Sequence, residues 1–473
     1  MAIPDIMQTG RSGLYAAKVG IATTGHNISN ANTEGYSRQR VEQTTDNPRP
    51  HGPKAMIGSG TLINRIDRIN DGYIEKQIRN TNRELAHFEE KDVVLKQTED
   101  IFNEMGGEGL NRLMSRFFNE FRKLSNDPNS EAIRQAVREA AQALVNDFRR
   151  LRKEVSEVGR HIDARLDGQV REINALAGTL KDLNIKIKAL SVTGASPNDL
   201  LDQRDKVLKQ LSSYMDLSMY EDKEGSYVVD IKGVGPLVVG GDVQKFEVAR
   251  TQADGQGKSE GALDIISKAS GRLPLTHQIS GGKMGAILEV RDKTLSTILD
   301  RLDELAYGVT ESVNEIHRQG FTRDGVSGVS FFKNTANKQS AAELIDLSDA
   351  VKSNVNHIAT ALVPDAPGDN RIALAISGIQ HLRLMNDGKT TVDDYYNSIV
   401  SDVGVAGAKT REALNQQKDI QTQLGKIREQ ISGVSIDEET TQLLQYQHAF
   451  DASAKVIQIA DEMLKTILDI KRT

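Results

Sequence analysis

The stretch Ser130–Leu190 reads SEAIRQAVREAAQALVNDFRRLRKEVSEVGRHIDARLDGQVREINALAGTLKDLNIKIKAL. Apolar residues recur in it mostly at steps of three and four: Ile133, Val137, Ala140, Leu144, Leu151, Val155, Val158, Ile162, Leu166, Ile173, Leu176, Leu180, Leu183, Ile187 and Leu190. That period predicts one helix with one buried seam. At 1.5 Å per residue, about 60 residues make a rod of roughly 90 Å. No compact domain buries such a rod end to end, so an elongated molecule is expected.

Helical patterning extends to both sides of the rod. Before it, a pattern over 71–104 is followed by a short helix with Leu110, Leu113, Phe117, Phe121 and Leu124 on one face, which Asp127-Pro128 breaks. After it, Ser196-Pro197 starts a helix that runs to about Met215. Residues 217–280 change character. Leu217–Tyr220 and Tyr227–Ile231 flank the acidic turn Glu221–Gly225 and read as a hairpin, with further short strands at Pro236–Val239, Lys245–Ala249 and Leu263–Ser267. Helix returns from Gly282 to about Arg318. The segment 320–387 is mixed, with strands expected near Val329–Phe332 and Ile345–Leu347 and a helix near Ser348–Asn354. The chain is then helical over Val392–Ile431, broken at Ser432-Gly433-Val434, and helical to the end.

The ends carry heptads. Ile3, Met7, Gly10, Leu14, Ala17, Ile21, Thr24 and Ile28 form one seam, in which every second residue from Gly10 to Thr24 is small. It should stop in the polar stretch Asn27–Gly35, and Asn47–Pro53 should be extended or turning. Leu443, Tyr446, Phe450, Ser453, Ile457, Ala460, Leu464 and Ile467 form the second seam, with Val456, Ile459 and Met463 in a stripe beside it. That face is wider than one partner helix needs.

The expected fold is therefore mainly α with a smaller β-rich insertion. It is an elongated, discontinuous multi-domain chain with a long-helix bundle and paired terminal coiled-coil helices. Its expected parts are a terminal coiled-coil domain (1–60 with 432–473), a bundle (61–216 with 281–431, including the mixed segment 320–390) and an outermost β insertion (217–280).

Composition narrows the function. The 473 residues contain no Cys, which excludes disulfides, thiol catalysis and Cys-ligated metals. Sixty Lys and Arg against 66 Asp and Glu leave a net charge of −6, spread along the chain, which argues against a dedicated nucleic-acid or membrane binder. The nine His include no pair three or four apart, and there is no HExxH, P-loop or GxSxG. The acidic turn lacks the alternating ligands of an EF-hand. Glu438-Glu439 sits at a helix start, where stabilisation of the helix dipole is the simplest reading. No catalytic, cofactor-binding or metal-binding residue is expected, and no enzyme. The N-terminus has no Sec-type signal pattern.

Thr23–Gln39, TTGHNISNANTEGYSRQ, resembles the N-terminal signature of the flagellar axial proteins (rod, hook and hook-associated), with Asn27, Asn30, Asn32, Thr33, Gly35 and Tyr36 matching its Asn-rich turn. Ser432–Ile457, SGVSIDEETTQLLQYQHAFDASAKVI, resembles the C-terminal signature of the same superfamily. YSRQ (36–39), NDLLDQRDKVLKQL (198–211), GGKMGAILEVRDKTL (281–295), LAYGVTESVNEIHRQG (305–320) and PGDNRIALAI (367–376) are similar to the hook-associated family that makes the first hook–filament junction. The resemblance implies a non-enzymatic subunit, exported by the flagellar type III system, in a ring of its own copies. The hook protein would lie below, the second junction protein above, and an export chaperone would hold the C-terminal segment. Ile3, Met7, Leu14, Ile21 and Ile28 would then be the N-terminal assembly seam. Leu443, Tyr446, Phe450, Val456, Ile457, Ile459, Met463, Leu464 and Ile467 would be the C-terminal assembly and chaperone face. Another axial protein, such as the hook subunit, fits the long helices of 130–215 less well. A non-flagellar coiled-coil scaffold is the reading from a different class.

Overall fold

The seam of 130–190 folds as one helix of 62 residues, and the rest of the chain is arranged along it. The computed structural model describes residues 3–50, 56–103, 109–194, 196–222, 225–250, 263–267, 271, 274–366 and 368–470. Its helices are α1 (Ile3–Ser29), α2 (Gly72–Phe102), α3 (Leu110–Asn126), α4 (Glu131–Val192), α5 (Asn198–Ser212), α6 (Gly282–Glu289), α7 (Ser296–Gln319), α8 (Ala341–Leu344), α9 (Asp349–Ser353), α10 (Arg371–Gly378), α11 (Val392–Ser432) and α12 (Ile436–Ile470). The strands are β1 (Gln39–Thr45), β2 (Arg49–Pro50), β3 (Met56–Ile57), β4 (Thr61–Arg68), β5 (Leu217–Glu221), β6 (Tyr227–Ile231), β7 (Gly235–Val239), β8 (Asp242–Val243), β9 (Phe246–Arg250) and β10 (Leu263–Ser267). The chain is mainly α with small sheets. No helix among the described residues is long and apolar enough to cross a membrane.

Local chemistry starts the long helices. Ser130 Oγ accepts from the Ile133 N–H, Asp71 Oδ1 accepts from Tyr73 and Ile74, and Thr391 Oγ1 accepts from Asp394, each satisfying donors that a helix start leaves unpaired. α2 and α11 lie antiparallel, clamped by Arg428 on Glu75 (2.7 Å) and Arg411 on Glu99 (3.0 Å). α4 is the spine. Going along it from its start, Arg134 bonds the Ile358 carbonyl, Arg152 pairs with Asp303 of α7, Asp163 with Arg291, and Arg165 with Glu90 of α2. Along the same helix the seam residues Leu144, Leu151, Val155, Leu166 and Leu180 are at most 1% exposed.

The β insertion is cinched at a neck. Gly282 has φ of +59°, and a Cβ there would run into the Tyr214 backbone. Lys283 and Met284 N–H donate to the Ser213 and Tyr214 carbonyls across this crossing. Beyond the neck, β5-β6-β7-β8 form an antiparallel sheet and β9 pairs with β10. The hairpin around the acidic turn is present, although residues 223–224 of the turn lie outside those described. The sheet packs along the second half of α4, where Asn174 bonds Phe246 and Asn184 bonds Tyr227, and its core side chains Val229, Leu237, Val238 and Phe246 are continuous with the bundle core. The physical reason is the exposed seam: Ile173, Leu180, Leu183 and Ile187 need covering, and the sheet supplies an apolar face.

The opposite end of the bundle is closed by the mixed segment. There Phe117, Phe121, Phe331 and Phe332 pack edge to face or tilted at ring distances of 4.9–5.8 Å. The strands expected at 329–332 and 345–347 reduce to one bridge, Phe332 to Leu347, and an unexpected helix, α10, starts within PGDNRIALAI. His317 is fully buried here. Its Nε2 accepts from the Ala359 N–H and its Nδ1 bonds the Val329 carbonyl. Burial holds its pKa down to about 4 from 6.5. The unfolded chain therefore takes up a proton below about pH 6.5 that the folded chain refuses until about pH 4, so stability falls across that window as pH drops. The loss attributable to His317 is about 3 kcal/mol. Urea unfolding of His317→Gln should lose that much less stability between pH 7 and pH 4 than the parent; parallel pH profiles would remove the assignment.

Candidate assembly site

α1 and α12 are antiparallel, and the small residues of α1 set their distance. A Cβ at Gly10 would sit 2.8 Å from Ile457 Cγ1, one at Gly13 would sit 2.7 Å from Ser453 Oγ, and one at Gly20 would sit 2.6 Å from the Tyr446 ring. The N-terminal glycines thus act as holes for the bulky C-terminal residues. Gly10, Ala17 and Thr24 are buried; Ile3, Met7, Leu14, Ile21 and Ile28 are half-buried. On α12, Leu443, Tyr446, Phe450, Ile457 and Leu464 are half-buried. Val456, Ile459, Met463 and Ile467 are 37%, 41%, 46% and 54% exposed, so the wide apolar face is half covered in the single chain. Ile467, placed on the seam by the heptad, is exposed.

The polar signature forms a joint beneath this pair. Asn27 is 1% exposed and makes four hydrogen bonds. Its Nδ2 donates to the Gln39 carbonyl (2.8 Å) and Glu439 Oε2 (2.9 Å), and its Oδ1 accepts from Tyr36 Oη (2.7 Å) and the Gln39 N–H (2.9 Å). Asn30 Oδ1 accepts from Thr33, and its Nδ2 donates back to the His26 carbonyl. Gly35 has φ of +87°, which lets the chain reverse. Asn32 and Thr33 are exposed at the turn.

Three further segments close on this turn. Arg38 pairs with Glu439 at 2.6 Å and Glu438 at 2.8 Å. Glu439 lies in the first turn of α12, as the helix-dipole reading has it, and is in addition fully buried as the partner of Arg38 and Asn27. From α5, Asp199 accepts from Gln39 Nε2, Asp202 accepts from the Ser37 N–H and Arg68, and Asn198 donates to the Ile66 carbonyl. From α11, Arg428 reaches the Gly35 carbonyl. Burial, with Asp199, Asp202 and Glu439 around it, pushes the Tyr36 phenol well above its usual range, and burial likewise raises Asp202 despite Arg68.

β1 and β4 pair antiparallel beside α1, with Ser12 Oγ accepting from the Thr61 N–H. The boundary drawn at residue 60 therefore falls between two paired strands. Of the extended stretch expected at 47–53, residues 49–50 pair with 56–57, and 51–53 lie outside the described residues. Arg38, Asp199, Asp202 and Glu439 fall inside signature stretches quoted above without being singled out there, and Arg68 and Arg428 carry no motif at all. Among the described residues, no group of three or more His, Asp or Glu is arranged to hold a metal ion. The arrangement locks two chain ends to one end of a bundle and leaves an apolar stripe facing out.

Three family profiles match the chain: the flagellar hook-associated protein FlgK helical domain over residues 95–332, the flagellar basal body rod FlgEFG protein C-terminal region over 429–470, and the flagella basal body rod protein over 7–36. Flagellar hook-associated protein 1 of Bacillus subtilis (strain 168) is 29% identical, over 98% of this chain and 97% of the relative. The protein of that name from Escherichia coli (strain K12) is 23% identical, over 99% and 100%. The structure of the flagellar hook junction protein FlgK from Burkholderia pseudomallei superposes with a TM-score of 0.66 at 16% identity, covering 75% of this chain and all of that one.

Proposed function

This chain belongs to the FlgK family of flagellar hook-associated proteins, and we propose that it is the structural subunit that joins hook to filament, assembled through its terminal helices. The observation that carries the assembly reading is the outward stripe Val456, Ile459, Met463 and Ile467, left bare after α1 has covered the other side of α12. A bare apolar stripe on a helix pair is a surface for neighbouring copies. The joint supports the same reading, because it fixes the direction in which the pair leaves the bundle.

The subunit is non-enzymatic. It lies outside the cell in a ring of its own copies, between the hook protein and the second junction protein, and reaches that place through the flagellar type III route. An export chaperone covers the stripe on α12 before assembly. The paired strands β1 and β4 favour a terminal unit of 1–68 with 432–473, a bundle of 69–216 with 281–431, and the β insertion between them.

Electron microscopy of cells lacking the gene tests this directly. Hooks without filaments, and flagellin released as monomer, are expected, with both defects reversed when the gene is restored. Normal filaments in the deletion strain would refute the reading.

A further inference from the structure

We propose that the β insertion braces the joint beneath the terminal helices, and that α5 carries this coupling through Arg204. The helix has two working faces. Asn198, Asp199, Asp202 and Asp205 share one of them. That face holds the joint, by way of the Ile66 carbonyl, Gln39, the Ser37 N–H and Arg68. Arg204 stands on the opposite face, one and two turns before the buried Leu208 and Leu211. It is a buried cation at a position where an aliphatic side chain would continue the seam.

The insertion is what meets Arg204. Its Nη1 donates to the Gly225 carbonyl (2.9 Å), its guanidinium carbon lies 4.0 Å from the centre of the Tyr227 ring, and Glu221 stands 4.0 Å away. The hairpin that offers these groups is itself fixed. The Asp222 N–H donates to the Ser226 carbonyl, the Ser226 N–H donates to Asp222 Oδ1, and Gly225 takes φ of +79° in the turn between them. The Tyr227 N–H and carbonyl are both bonded by the side chain of Asn184 on α4. Burying a cation costs stability even when it is paired, and fixing register is the best-attested use of such a group. Here the register is the roll of α5 about its own axis, set against a hairpin that does not move.

That roll decides whether the joint closes. With side chains at a radius of about 6 Å, a roll of about 10° moves atoms on the far face by about 1 Å. The bonds to Asp202 from the Ser37 N–H (3.0 Å) and from Arg68 (2.9 Å) then pass beyond hydrogen-bond reach. Tyr227 acts on one face of α5, and Asn27 acts on the other through Gln39, which bonds both Asn27 and Asp199. Two sites that bias one element are coupled reciprocally. Both lie within a single chain, so the inference does not rest on the assembly reading.

Hydrogen exchange of the purified full-length chain tests it. Tyr227→Leu keeps the strand and removes the ring beneath Arg204. The amides of Ser37 and Gln39, which donate to Asp202 and Asn27, should exchange about threefold to tenfold faster, within what one lost cation–π contact supplies. Arg204→Met removes the charge and keeps most of the volume. It should give the same acceleration with thermal unfolding unchanged or raised, and combining the two changes should add little. In the reverse direction, Asn27→Leu should speed exchange of Asp222 and Ser226 in the hairpin by a similar factor. Tyr220→Leu, on the same sheet but exposed, should leave the joint as it is. Unchanged exchange at Ser37 and Gln39 in Tyr227→Leu, an equal effect of Tyr220→Leu, or an undisturbed hairpin in Asn27→Leu overturns the proposal. Acceleration that extends equally to α4 also overturns it, in favour of a general loosening of the chain.

Discussion

Cells carrying Ile457→Asp are expected to export flagellin, release it as monomer, and bear no filaments. Ile457 fills the hole at Gly10, and an unpaired carboxylate forced into that contact costs several kcal/mol. The helix pair should open, while the bundle, whose core is separate from it, should keep its fold. Ile459→Asp makes the comparison informative. Ile459 points outward, so its replacement should leave α1 and α12 paired in the isolated subunit and still prevent assembly. Hydrogen exchange of the two purified variants distinguishes them: only Ile457→Asp should lose protection in both terminal helices. Secretion of each variant is measured separately, since a chaperone on the same face would be disturbed too. Normal swimming by both mutants would sink the assembly reading.

Asn27→Leu should undock the terminal pair from the bundle. The side chain is similar in size, so the change removes hydrogen bonds rather than volume. It strands the Gln39 N–H and carbonyl, Tyr36 Oη and one oxygen of the buried Glu439. Each orphaned buried group costs about 1–3 kcal/mol, so even with Tyr36 turning to water the other three total at least about 3 kcal/mol. Amide exchange in α1 and in the first turns of α12 should accelerate by at least about two orders of magnitude, which is that energy converted at about 1.4 kcal/mol per factor of ten. Exchange in α4 should not change. Undiminished protection of α1 would show that the joint does not hold the pair.

These two sites differ in how far the sequence reveals them. The seams are local patterns: α1, α4 and α12 repeat apolar residues at helical spacing, and small residues in one heptad facing large ones in another are readable from the order of residues alone. The joint is built from contacts that no window contains. Ser37 meets Asp202 across 165 residues, and Arg38 meets Glu438 across 400. Glu439 is disguised by its position, because an acid at a helix start has a sufficient local explanation. The β1–β4 hairpin is hidden for another reason. Only Val41 and Gln39 of β1 are buried, so the strand shows no apolar alternation to detect.

The joint also makes the subunit report on its own completeness. Asn27 is synthesised early, and its partner Glu439 follows 412 residues later. Joining two points so far apart on an open chain costs about 5 kcal/mol in lost freedom. The bundle removes most of that cost by bringing the start of α2 beside the end of α11, so the body must form before the ends can meet. A chain that stops short of α12 still has every residue of the body. It lacks Glu439, leaves Arg38 without a buried partner, and exposes the glycine-lined side of α1. A broken subunit is thus marked by a loose, sticky end, and a finished one by a closed pair.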